Sequence, residues 1–84
     1  MDIVLVTWLD AVLEDEHVGF DCAKHLAPLK RYNIGYLLVD TDDCITLLFG
    51  TIENCYKGNT AADKVLTIPR GMIVKIEQLE IKKT

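Results

Sequence analysis

The chain has no serine, only two histidines, and three cysteines that never fall into a C-x-x-C pair. These scarcities remove most enzyme chemistry. Covalent catalysis needs a nucleophile, a base to activate it and a group to orient the base. Only Cys22 and His25, three residues apart and on one helix face, offer a start. A buried small thiol beside a half-exposed imidazole is the stronger reading of that pair. His17, Asp21, Cys22 and His25 form a single cluster, whereas structural zinc sites draw close Cys/His pairs from two places in the chain. Asp40-Thr41-Asp42-Asp43 opens like a calcium loop but lacks its sixth-position glycine and closing glutamate, and reads as a hairpin turn. The five glycines are scattered singly, which excludes a phosphate loop or dinucleotide fingerprint. The acid pairs fall in polar segments with no buried setting to shift their protonation. The expectation is a non-enzyme without cofactor or metal.

Long apolar runs are also missing. Ile3 to Val6 and Ile45 to Phe49 are far too short to span a bilayer. Met1-Asp2 leads straight into an apolar run with no basic leader, so the expected location is the cytoplasm. An odd number of scattered cysteines reads as reduced thiols.

What is present in quantity is acid and apolar surface. Nine basic against thirteen acidic residues leave a net charge of −4. Glu14-Asp15-Glu16 and Asp40, Asp42 and Asp43 concentrate the acid in the first half. That surface repels a phosphate backbone, and no basic stripe offsets it, so general nucleic-acid binding is disfavoured. Eighty-four residues make a single domain, 1–84. Half of them are hydrophobic, more than so small a body hides, and the expected functional unit is a homo-oligomer.

The residue pattern is that of strands. Ile3 to Val12 is a β-branched run around the single tryptophan, followed by a charged loop, Glu14 to Gly19. Phe20, Ala23 and Leu26 are spaced by three behind a possible cap at Asp21, predicting one or two helical turns stopped by Pro28. Tyr32 to Val39 and Cys44 to Ile52 flank the turn-rich Asp40 to Asp43, a hairpin whose Gly35 and Gly50 mark bends. Asn54 to Asp63 reads as a polar loop and Lys64 to Ile68 as a strand. Pro69-Arg70-Gly71-Met72 is a tight turn, and Ile73 to Ile81 alternates with its apolar side swapping midway. The expected fold is mostly β with one short helix: a small, five-stranded, strongly bent antiparallel barrel. It resembles the Src-homology-3-like and Sm-like barrels, chiefly in the strand, tight turn and strand of its last third.

Six residues stand out as a candidate ligand site. Trp8 and Asp10 share a face of the first strand, although a lone tryptophan is more often core. Lys30, Arg31 and Tyr32 form the one dense basic-aromatic cluster, and Arg70 stands at the tight turn. A cation beside an aromatic ring suits a planar anion such as a nucleotide.

Read together, Val6-Thr7-Trp8-Leu9-Asp10-Ala11, Leu26-Ala27-Pro28, Ile34-Gly35-Tyr36-Leu37 and Ile68-Pro69-Arg70-Gly71-Met72-Ile73 resemble a group of small accessory proteins of bacteriophages and prophages. The likeness covers most of the chain and departs in Asn54 to Asp63. It implies a protein acting in the cytoplasm of a bacterial host by occupying a target. The foremost expectation is an anti-defence protein that sequesters a small nucleotide-like signal within an oligomer. The alternatives are an inhibitor that covers a host protein with its acidic surface, and a Sm-like RNA-binding module.

Overall fold

The computed structural model describes residues 1–56 and 59–82, with side chains over 1–51 and 60–82. The strands are β1 (Ile3–Asp10), β2 (Leu29–Asp40), β3 (Cys44–Leu48), β4 (Thr51–Tyr56), β5 (Asn59–Ala62), β6 (Val65–Pro69) and β7 (Ile73–Leu79). One short helix, α1 (Phe20–Ala23), lies between β1 and β2, and a 3-10 turn (Arg70–Met72) joins β6 to β7. Five strands form one antiparallel sheet in the order β6-β3-β2-β1-β7. The sheet is open: among the described residues β6 and β7 are its edges.

The twelve residues of β2 give the sheet its curl. Its first part pairs with β1, from Leu29 opposite Asp10 to Tyr36 opposite Ile3. Its last part pairs with β3, from Tyr36 opposite Leu48 to Asp40 opposite Ile45, with a register shift between Leu37 and Val39. One bent strand thus carries two limbs, β1 and β7 on one side and β3 and β6 on the other. Directly opposed residues share a face, so Val4, Val6 and Trp8 of β1 face inward and meet Ile45 and Leu47 of β3 and Ile68 of β6. Leu37, Leu66, Met72, Ile73 and Ile76 close around that cluster. The 3-10 turn lies against both β1 and β3, bridging the limbs.

Gly35 is needed for space. A Cβ there would stand 3.1 Å from the Leu48 carbonyl oxygen and 3.3 Å from Leu47 Cβ. The expected bend at this residue is therefore a close approach of β2 to β3. The midway swap in β7 also has a local cause: Thr7 opposes Lys75 but Trp8 opposes Ile73, leaving Val74 as an extra residue. Such a bulge shifts the alternation by one.

Several boundaries differ from the sequence reading. The first strand stops at Asp10, the last at Leu79, and β2 begins three residues earlier than expected, at Leu29. The helix is a single turn with Gly19, not Asp21, at its N-cap. The second hairpin strand breaks at Phe49-Gly50, and the segment read as a polar loop, Asn54 to Asp63, contains strand: β4 pairs with β5. The Phe49 amide donates to the Lys64 carbonyl and the Asp63 amide to the Gly50 carbonyl, so this arm continues the β3–β6 hairpin outward. Lys64, at φ 65°, supplies the kink. The chain measures 54 Å along its longest axis against 33 and 30 Å along the others.

Candidate functional site

The candidate residues are distributed by strand alternation. On β1 and β2, Trp8 lies opposite Arg31, Leu9 opposite Lys30 and Thr7 opposite Tyr32. Trp8, Asp10 and Arg31 therefore share the inward face, while Lys30 and Tyr32 lie on the outer one. The contiguous cluster Lys30-Arg31-Tyr32 is split across the sheet.

Trp8 is core, 8% exposed, and its Nε1–H donates at 2.8 Å to Asn33 Oδ1. Asn33 is a residue the sequence did not single out. It lies one step along β2 from the tryptophan's opposed residue, on the same face, which satisfies the indole without a water. Beyond Trp8, Arg31 Nε donates at 2.7 Å to Asp10 Oδ2, at the end of the β1–β2 pair from which the Ala11 to Pro28 connection leaves. Among the described residues this is Arg31's one hydrogen bond, and it uses Nε alone.

Arg70 is held elsewhere. It ion-pairs with Asp40, and its Nε and a terminal nitrogen donate to the Thr41 carbonyl at 3.2 and 2.7 Å. Its amide also donates to the Asp43 carbonyl at 2.9 Å. Within the turn, the Asp43 and Cys44 amides donate to Thr41 Oγ1. The acidic Asp40 to Asp43 segment is thus a hairpin turn clamped to the 3-10 turn by Arg70. The strands bring Trp8, Asp10 and Arg31 together, and leave Lys30 and Tyr32 on one separate surface and Arg70 on another.

The segment from Ala11 to Pro28 carries a feature that the sequence reading passed over. Leu13 is 90% exposed and Phe20 88%, with Val18 and Leu26 also open. Glu14, Asp15, Glu16 and Asp21 are interleaved with them, all exposed. The spacing of Phe20, Ala23 and Leu26 matched a helix face; a single turn from Phe20 to Ala23 is too short to bury one. Cys22, expected as a buried thiol, is exposed together with His25, since the single turn packs on nothing that would cover it; Cys44 is half-buried. The side chain of Cys55 lies outside the described residues.

Among the described residues there is no enclosed pocket and no group of three or more potential metal ligands. No helix of these residues is long and apolar enough to cross a membrane. No protein family, curated protein or solved structure matches the chain.

Proposed function

We propose that this is a non-catalytic binding protein that attaches to another protein through the acidic, apolar segment Ala11 to Pro28. The observation that carries this reading is the pairing of Leu13 and Phe20, almost fully open to solvent, with exposed Glu14, Asp15, Glu16 and Asp21. Exposed apolar side chains rimmed by charge are the signature of a contact surface. The partner chemistry that fits is an apolar groove with basic edges. The small-barrel identity, Src-homology-3-like or Sm-like, is supported by the strand order and by the 3-10 turn between the last two strands of the sheet. A phage accessory protein acting on a host protein in the bacterial cytoplasm agrees with the sequence resemblance described above. The test is affinity capture from bacterial extract with the wild-type chain and with Leu13→Asp/Phe20→Asp. One stoichiometric protein retained by the first and lost by the second supports the proposal. Equal retention by both contradicts it.

A second reading, capture of a nucleotide-like anion, rests on Arg31. Its Nε is held by Asp10, and its terminal nitrogens make no hydrogen bond among the described residues. Neither Tyr32 nor Tyr36 shares the face of Arg31, and Trp8 is in the core, so the anion would be held by charge without a stacking platform from these rings. Calorimetry with a panel of linear and cyclic nucleotides separates the two readings: heat of binding that Arg31→Ala abolishes favours capture.

A further inference from the structure

On the outer face of the sheet Thr7 is buried and Ile3, Leu5 and Leu79 are half-buried, while the aromatic and apolar row of β2 stays open within one chain. The register places Ile3 and Leu5 of β1 beside Tyr36 and Ile34 of β2, with Leu79 of β7 on the far side of Ile3. Tyr32 continues the β2 row and is 62% exposed, Ile34 57% and Tyr36 42%. We infer that this face seats a second copy of the chain, back to back, with a two-fold axis near Ile34.

Three observations select a second copy over other occupants. The first is charge. The chain carries a net charge of −4, so two copies repel each other wherever their acids meet. The acids Glu14, Asp15, Glu16 and Asp21 lie in the β1–β2 connection and Asp40, Asp42 and Asp43 at the hairpin turn, away from this face. On the β7 flank of this face Glu77 is matched by Lys75 at 3.4 Å, and Lys30 ends the β2 row. A basic partner would seat on the acid loops; a like-charged copy needs the neutral face.

The second is area. The chain exposes 6885 Å², whereas a compact monomer of 84 residues exposes about 5,050 Å². The surplus of about 1,800 Å² exceeds the roughly 800 Å² that each partner contributes to a standard interface. Part of the surplus belongs to the β1–β2 connection, where every residue from Ala11 to Pro28 except Ala23 is exposed.

The third is symmetry. Tyr32-x-Ile34-x-Tyr36 reads the same in both directions. A two-fold axis at Ile34 sets Tyr32 against Tyr36 of the second copy, an isologous contact in which one row serves as both sides. Two sheets stacked about 10 Å apart would bury that row between them.

Sedimentation equilibrium at micromolar concentration tests the inference. The wild-type chain is expected at twice its monomer mass. Ile34→Asp is expected to raise the dissociation constant by about thirtyfold or more, the scale of a buried interface anchor. Wild type at monomer mass, or an unchanged constant for a folded Ile34→Asp, overturns it. Should Ile34→Asp fail to fold, Ile34→Cys in a Cys22→Ala background replaces it: a bis-maleimide of about 10 Å reach, matched to the spacing of stacked sheets, is expected to link two copies where Cys22→Ala alone is not linked, and failure to link overturns the inference. Phe20→Asp, on the proposed partner-binding segment, is expected to leave the dimer intact, so the two proposals fail separately.

Discussion

The indole N–H of Trp8 and the side-chain oxygen of Asn33 meet at 2.8 Å across the two central strands. That bond lets the one tryptophan of the chain lie in the core while its polar atom remains satisfied. Asn33→Ala is expected to lower stability by about 1–3 kcal/mol, because the indole donor loses its partner in a partly buried place. Trp8→Phe removes the donor, so Asn33→Ala should cost less in that background. Urea unfolding of the four proteins gives the coupling; purely additive losses would mean that the bond contributes nothing.

Gly35→Ala places a methyl group 3.1 Å from a backbone carbonyl oxygen that is fixed by strand pairing. Displacing β3 relative to β2 is expected to cost about 1–3 kcal/mol. A melting temperature equal to wild type would show that the two limbs adjust freely.

Lys64 holds φ 65°, a conformation that costs an ordinary side chain about 1–2 kcal/mol. Lys64→Gly is expected to equal or exceed wild type in stability, and Lys64→Val to fall below it, since branching at Cβ worsens the clash. Thermal denaturation of both variants reads this directly; the reverse order would contradict the kink.

Arg70→Ala frees the Asp40 to Asp43 turn from the 3-10 turn. The pair is partly exposed, so the expected global loss is small, about 1 kcal/mol. The local effect is larger: the Thr41 and Arg70 amides should exchange with solvent faster while that of Val6 does not. Arg70→Lys should not restore protection, because an ammonium cannot reach both acceptors as the guanidinium fork does. Equal acceleration at Val6 would indicate general loosening.

How far the sequence reported this structure depends on whether a segment has a buried side. β1 as a strand, the hairpin around Asp40 to Asp43 and the tight turn at Arg70 were legible, the first from its β-branched run and the other two from turn residues set between apolar runs. The β4–β5 arm was not, because Asn54 to Asp63 reads by composition as loop: it carries no apolar alternation, and pairing partners cannot be read from composition. The helix is one turn, the shorter of the one or two expected, because the three-residue spacing of Phe20, Ala23 and Leu26 is the same whether those residues pack or project. The candidate site scattered for a related reason. Proximity in sequence joined Lys30, Arg31 and Tyr32, and strand alternation divided them. Asn33 lacked any signal beyond its position two residues from Arg31 on the same face.

The partner-binding role of the segment around Phe20 is tested most directly by photo-crosslinking from a benzophenone side chain at position 20 in bacterial extract. One defined protein joined to the chain, and displaced by excess wild type but not by Leu13→Asp/Phe20→Asp, is the predicted result. Adducts only to a second copy of the chain, or none at all, would contradict it.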